Sequence, residues 1–597
     1  MGQSHRVNWV QTGDLREIQG QGLDESDLCI QNLIQCLCRE RMADEVFPAE
    51  DITPETDPVG LPFIPMRSMS QKAGVWLRIP LHLTEYETIA WVDKHRSLSG
   101  NYEYLGHAFF RARKDREWIR LDGFRFAELV RDELAQEYSV LRESDFLSQI
   151  EDSLRVMKQI LNTGSISERI TSFISSEQTV IYGHPFHPSP KSRVGFSEEE
   201  VVRYSPEFQP SFPLFYFDVR RETFFQESLL PETTEESLVF EGLRVPGSDF
   251  VRVPIHPWEA KYLLNREEIK NALLQDEMRA VGLGEIQFSP TASVRTLYSP
   301  EVSFFYKTSL HVRITNCIRR NTPSELKSAL EVTRLLREIR LEYQEIFPGF
   351  SWLEEPAYFF VKPFTASDPS ISEGFSLLLR EGLTSKNSNS RVAASLFGNR
   401  DLGRSFLSQL IEESGLSRRH WFEEYIRMLV PPLLTLYFQK GVMFEPHLQN
   451  TLVQIDSGIP TGFIMRDFDN LRAISGGWAA KEIQTRLPGL SKDLIFTEKE
   501  GWNRFVYCLV VNHLSEAIYQ ISWQNPALEK NLWQVLRDQL LTFLQEAGDL
   551  RAQNEVYGLL REATLPAKGS LVTRFRRSTD REAPYFYIPN PFVQIEN

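Results

Sequence analysis

Several short segments of this chain hold side chains able to bind or polarise an anion. Phe304 to Asn316 reads FFYKTSLHVRITN. At the two-residue period of a strand, Tyr306, Thr308, Leu310, Val312 and Ile314 share one face. Lys307, Ser309, His311, Arg313 and Thr315 share the other, which carries basic groups and no acid. Such a strand presents donors and positive charge to an anion. Upstream, Ser289 to Tyr298 reads SPTASVRTLY, and alternation puts Ser293 and Arg295 on one face, followed by Thr296. Two neighbouring strands with these faces aligned would form a surface of Ser, Thr, Lys and Arg. That surface suits a polyphosphate, whose charge must be offset by fixed donors. A solvated antiparallel face is the competing reading; the absence of acids between Lys307 and Arg320 argues against it.

Two further segments carry chemistry. In Gly183 to Phe196, GHPFHPSPKSRVGF, three prolines fix a loop bearing His184, His187, Lys191 and Arg193. The loop reads as a carboxylate or phosphate clamp or as a proline-rich turn with satisfied histidines. Zinc is a rival ligand, but HPFHP lacks further ligands nearby. Glu445, His447, Gln449 and Asn450, followed by Asp467 in MRDFDN, supply hard oxygen ligands for Mg²⁺. Their order is similar to the metal-binding end of kinase-like phosphotransferases. A kinase would also need an Asp base close to His447, and HLQN has none. The chain has no GxxxxGK[ST] loop, glycine-rich fingerprint, HExxH or GxSxG. ATP would therefore be held by side chains on a sheet face.

These segments need elements to position them. Apolar spacing predicts helices over Leu28–Met42 and within Phe126–Leu161. The Pro- and acid-rich stretch Asp44–Pro65 reads as an extended loop. From about Thr171 the texture turns to strands and turns. Thr322-Pro323-Ser324-Glu325 has the form of a capping box opening a helix to Ile346. Thr365–Glu373 and Thr384–Arg391 read as surface loops. Helices over Trp421–Lys440, Trp502–Gln524 and Leu528–Glu546 alternate with short strands near Leu452 and Phe463. The fold class expected is α+β in three parts: a mainly helical 1–165, a β-rich 166–355 with the anion-binding sheet, and an α/β 356–597.

A chain of 597 residues is too long for one core. Its 42% apolar and 25% charged content is that of a soluble globular protein. The net charge of -15 disfavours a nucleic-acid partner. No apolar run is long enough for a membrane span, and the best, Met428–Phe438, contains Pro431 and Pro432. The first residues lack the apolar core of a signal peptide. Five sparse cysteines argue for a reducing compartment, hence a cytoplasmic protein. Cys36-Leu37-Cys38 reads as buried thiols on a helix, with no second cluster to complete a metal site.

Taken in order, GHPFHPSPKSRVGF, SVRTLYSPEVSFFYKTSLHVRITNCIRR, EPHLQNTLV and MRDFDNLR resemble the NRPS-independent siderophore synthetases, the aerobactin-synthetase-like family. The resemblance covers roughly the central half of the chain. It implies a cupped hand of thumb, fingers and distantly kinase-like palm. It also implies that ATP and Mg²⁺ adenylate a carboxylate of citrate or a related polycarboxylate, which an amine or hydroxyl then attacks. Pyrophosphate and AMP are released. By the resemblance, Ser293, Arg295, Thr296, Lys307, Glu445, Gln449, Asn450 and Asp467 would bind ATP, with Asn450 and Asp467 at the metal. His184, Thr315, Asn316, Arg319, His447, Arg504 and Lys568 would bind the carboxylate substrate. His184, Arg319 and His447 among them would serve catalysis. A homodimer is expected. The chain departs from the family pattern at His311, Cys317, Pro446 and Asp469-Asn470. The alternative reading is a kinase-like small-molecule phosphotransferase, which would release ADP.

Overall fold

The computed structural model describes residues 24–595 except 42–44, 49–73, 80, 116–117, 140–143, 164–169, 231–248, 316, 363–367, 399, 490 and 579–581. The N-terminal helix, Glu25–Arg41, buries Cys29, Cys36 and Cys38 against Leu33, Ile34 and Leu37. All five cysteines are free thiols, and Cys317 is exposed. The helical stretch expected at 126–161 forms two helices, Gly123–Glu137 and Ser144–Asn162.

Between the first helix and these two lies a five-stranded antiparallel sheet that the mainly helical expectation for 1–165 leaves out. Its strands are Glu45–Pro48, Gly74–Ile79, Tyr86–Asp93, Tyr104–Ala112 and Ile119–Arg120. The reason is burial on two faces. Ala90 and Val92 join the helical core, whereas Ile89 and Trp91 pack with Trp76 on the opposite side. The strand's text is thus a continuous apolar run rather than an alternation. Glu45–Pro48 also corrects the extended-loop reading of Asp44–Pro65; the rest of that stretch lies outside the described residues.

An antiparallel sheet of eight strands organises the middle of the chain. Its order is Phe224–Ser228, Ala357–Val361, Leu377–Glu381, Phe304–Thr308, Thr296–Tyr298, Met278–Pro290, Phe212–Arg220 and Phe250–Ile255. The segment read as one strand from Phe304 breaks at Ser309. Its second half, Leu310–Ile314, belongs to a separate sheet with Arg193–Val194 and Cys317–Arg319. The Ser309 hydroxyl lies 2.8 Å from the Ser376 hydroxyl and accepts the Asn321 N–H at 2.8 Å, which pins the break.

The helix after this hairpin starts as its sequence predicts. Thr322 and Glu325 cap each other's N–H groups, Pro323 takes the first helical position, and the helix runs to Ile346. Beyond it, Phe350–Trp352, Ile459–Met465, Thr451–Asp456 and Ser390–Val392 form a four-stranded sheet. The loop readings at 365–373 and 384–391 give way in part to the short helix Pro369–Gly374 and the edge strand Ser390–Val392; residues 365–367 lie outside the described residues. The helix Arg418–Thr435 widens to a π turn at Leu436–Lys440. A second π segment, Tyr507–Leu514, joins Glu498–Val506 to Ser515–Ile521. The largest core runs from Phe305 and Val332 to Phe592, while Leu571, Val572 and Phe575 return to the N-terminal core. No described helix is long and apolar enough to cross a membrane.

Candidate active site

In the eight-stranded sheet Thr296 stands directly across from Lys307. The Thr308 N–H and hydroxyl both donate to the Arg295 carbonyl, each at 3.0 Å. This register brings Arg295 and Lys307 together. The Lys307 ammonium is 2.6 Å from Asp467 Oδ1, 2.6 Å from Asp469 Oδ2 and 3.7 Å from Glu355 Oε1, and its side chain is 1% exposed. Arg295 donates to Asn321 Oδ1 at 2.6 Å and to Asp469 at 3.1 Å. Arg380, on the adjacent strand, donates to Glu355 at 2.7 and 3.0 Å and lies 3.3 Å from Asp467. Three cations and three carboxylates thus form one network. The sequence shows an acid-free strand face; the acids come from residues far along the chain.

The electrostatics follow from this packing. Burial disfavours the Lys307 ammonium, yet Asp467, Asp469 and Glu355 together hold its pKa above the ordinary lysine value. Burial also opposes charge on Asp467, but Lys307 and Arg380 hold its carboxyl far below the usual range. Glu355 goes the other way, because its burial outweighs Lys307 and Arg380 and raises its pKa. Asp467 sits at φ 75°, a left-handed backbone that turns its carboxylate back toward the sheet.

The turn preceding Arg295 is braced largely by its own groups. Val294 has φ 68°, Ser293 Oγ accepts the Thr296 N–H at 3.2 Å, and the Thr291 hydroxyl donates to the Thr296 carbonyl at 2.9 Å. Opposite it, the Arg466 N–H donates to the Asn450 carbonyl at 3.1 Å, which sets Asn450 beside Asp467 at the open end of a hairpin. Asn450 is buried, and its side-chain amide has no hydrogen-bond partner among the described residues. An unspent amide oxygen beside a carboxylate fits Mg²⁺, which takes one or two protein oxygens and completes its shell with phosphates and water. Among the described residues no group of three or more His, Cys, Asp or Glu side chains is placed to hold a metal ion by itself. Gln449 is half-buried, and its carbonyl accepts from Arg466 at 2.7 and 3.1 Å.

A second charged group lies near His447. Glu445 accepts from Arg504 Nε at 2.6 Å. Lys568 stands across from Tyr585 in a two-stranded sheet, and Arg504 opposes the effect of burial on the Tyr585 hydroxyl. Burial would raise the Glu445 pKa, but Arg504, His447 and Lys568 bring it below the ordinary value. The His447 pKa is lowered by burial first, against the attraction of Glu445 and Asp467. Its imidazole therefore senses carboxylates of both groups. Behind it, His513 Nδ1 donates to the Pro446 carbonyl at 2.7 Å and Nε2 accepts from the Tyr425 hydroxyl at 2.6 Å. That arrangement requires a neutral ring, and burial lowers the His513 pKa to about 4.

Other expected residues are placed differently. Lys191 and Arg193 meet Glu207 at 2.5 and 2.8 Å in a buried cluster, so they do not form an open clamp. His184 is exposed, and its Nδ1 accepts the Phe186 N–H; His187 is buried and accepts the Ser189 N–H. His311 is bound to Glu259 at 2.5 Å and stacked on Tyr262. Arg319 donates to the Ile314 carbonyl at 3.2 Å and the Thr315 hydroxyl at 3.1 Å. The Arg313 side chain has no hydrogen bond or ion pair among the described residues. Asn316 lies outside them. The sequence reading missed Glu177, Asn321, Glu355, Arg380, Arg466, His513 and Tyr585. Arg380 left a signal, a charge directly after the apolar run Leu377–Leu379 of its strand. Glu355 and Glu177 left none.

Residues 172–398 match the family described as IucA / IucC. The L-2,3-diaminopropanoate–citrate ligase of Staphylococcus aureus (strain NCTC 8325 / PS 47) is 28% identical, over 75% of this chain and 79% of its own. The spermidine-citrate ligase of Bacillus anthracis is 30% identical, over 71% of this chain and 74% of its own. This chain belongs to the IucA / IucC family. Residues 419–583 also match a domain described as ferric iron reductase FhuF-like transporter. The family fold is shared with the ATP-bound aerobactin synthetase IucA from a hypervirulent pathotype of Klebsiella pneumoniae. That structure has a TM-score of 0.79 and 23% identity, with 96% of this chain and 100% of the other covered. The α+β expectation therefore holds. Within this family member, the Arg295–Lys307 strands fall in the first matched region and the Glu445–Asp467 hairpin in the second.

Proposed function

We propose that this protein is an ATP- and Mg²⁺-dependent siderophore synthetase. It adenylates a carboxylate of citrate or a related polycarboxylate and joins it to an amine or hydroxyl, releasing pyrophosphate and AMP. The observation that carries the reading is the pair of charged groups, the Lys307–Asp467 network and the Glu445–Arg504 pair, set on the two segments Glu445–Asn450 and Arg466–Asp467. One group suits a polyphosphate and its metal, the other a substrate carboxylate. Ligation of citrate to amines is also what the two curated relatives are named for.

In this reading Ser293, Arg295, Thr296 and Lys307 line one side of the nucleotide, and Glu445 and Gln449 the other. Mg²⁺ held by Asn450 and Asp467 would offset phosphate charge. Thr315, Asn316, Arg319, His184, His447, Arg504 and Lys568 bind and orient the polycarboxylate. A carboxylate oxygen attacks the α-phosphorus as the bond to pyrophosphate breaks; the nucleophile then attacks the acyl carbon and AMP leaves. Two anions must approach each other, so fixed cations supply the main catalytic effect. No protein nucleophile is needed.

A thumb, fingers and palm divided near residues 165 and 355 is the proposed organisation; the described cores cross those boundaries, with Val156 and Ala357 in the middle core and Val332 to Leu353 in the C-terminal one. Five free thiols support a cytoplasmic location. A homodimer is the proposed assembly, two-fold pairs being the commonest oligomers. The test is product analysis with ATP, citrate and a panel of amines that includes diaminopropanoate and spermidine. Amine-dependent pyrophosphate and AMP are expected. ADP without pyrophosphate would replace this reading with the kinase-like one.

A further inference from the structure

Glu177 lies in the short helix Phe173–Gln178, outside every segment discussed as binding substrate, and is fully buried. Its Oε2 accepts the Ala292 N–H at 3.0 Å and Arg466 Nη2 at 3.1 Å, and its Oε1 lies 2.7 Å from Arg466 Nη1. Arg466 also donates to the Gln449 carbonyl from Nη2 and Nε, and its main-chain N–H donates to the Asn450 carbonyl. One carboxylate therefore joins the turn bearing Ser293 and Arg295 to the hairpin bearing Gln449, Asn450 and Asp467. These two segments are the opposite walls of the proposed nucleotide site. A buried ion pair adds little net stability over a well-packed apolar pair, so its value lies in fixing geometry.

We infer that Glu177, acting through Arg466, is a positioning residue that sets the spacing of those two walls. The inference rests on the ATP reading. It predicts that breaking the pair weakens binding of nucleotide and metal while the polycarboxylate site, centred on Arg319 and Arg504, is unaffected. Glu177→Gln keeps an acceptor for the Ala292 N–H but removes the charge. Arg466→Lys keeps the charge but removes the fork on Gln449.

The experiment is calorimetric titration of the full-length protein with α,β-methylene ATP and Mg²⁺, alongside steady-state KM values. Each variant is expected to bind the analogue about tenfold or more weakly, because small misplacements in a preorganised site are costly. KM for citrate should stay at the wild-type value. The double variant should bind no worse than the weaker single variant, as expected for one coupled unit. A variant with a lowered melting temperature and wild-type nucleotide affinity would overturn the inference. If Glu177→Gln fails to fold, Arg466→Lys carries the same test. A wild-type protein that does not bind the analogue defeats the ATP reading as well. Wild-type binding with unchanged affinity in the variants defeats the positioning role alone.

Discussion

On either side of Ser309 one alternating sequence folds into two unlike environments. Phe304–Thr308 lies inside the eight-stranded sheet, where the Lys307 ammonium meets three carboxylates. Leu310–Ile314 lies in a small sheet in which the Arg313 and Arg319 side chains meet no carboxylate among the described residues, whereas Arg193 is paired with Glu207. The Arg319 guanidinium bonds only to a carbonyl and a hydroxyl, and that of Arg313 to nothing among the described residues. The difference separates two uses of positive charge. Lys307 is prepaid with protein carboxylates and held rigidly, so a ligand must exchange partners to reach it. Arg319 meets no carboxylate among the described residues, which under the proposed function leaves it donor capacity for an incoming one.

The comparison can be broken most easily at Lys307. Lys307→Ala leaves Asp467, Asp469 and Glu355 crowded without their shared cation, and should cost about 3–5 kcal/mol of stability. The same variant should lower pyrophosphate release by roughly two or more powers of ten. Urea unfolding reads the first effect, and a wild-type midpoint would show that the network is not paired in solution.

His513 provides a reference outside both halves, with no charged partner at hydrogen-bond distance. Its folded pKa of about 4 lies below the ordinary 6.5. The unfolded chain thus binds the extra proton first, and stability falls as pH drops from 6.5 toward 4. The loss should reach roughly 3 kcal/mol, and His513→Gln should flatten it. Denaturation series at neutral and acid pH check this; identical pH profiles for wild type and variant would mean that His513 is not buried neutral.

Arg319→Ala should spare stability, raise the carboxylate KM by about tenfold and leave the ATP KM unchanged. The reverse split in KM would assign Arg319 to the nucleotide. Arg313→Ala should change stability by no more than about 0.5 kcal/mol. A larger loss by thermal unfolding would reveal a partner for that guanidinium and erase the contrast with Lys307.

Much of this was readable from residues. The Thr322 capping box, the strands at Leu452 and Phe463 and the adjacency of the strands carrying Thr296 and Lys307 follow from local pattern, whereas the register between those two strands does not. The break at Ser309 does not, because alternation continues unchanged through a residue that stays buried. The acids around Lys307 could not be found by reading its neighbourhood: Asp467 lies 160 residues away. The clamp expected at Lys191 and Arg193 failed for the same reason, since Glu207 meets both from beyond the proline-rich loop. The N-terminal sheet escaped because two covered faces erase the period on which strand recognition depends.

The most direct measurement uses citrate labelled with heavy oxygen in its carboxylates, with ATP, Mg²⁺ and an accepted amine. Direct attack of the carboxylate on the α-phosphorus leaves one labelled oxygen in AMP once the amine displaces it. Labelled AMP, formed in step with the amide, is the predicted result. Amide formation with unlabelled AMP, or with labelled inorganic phosphate and ADP, would contradict the adenylation account.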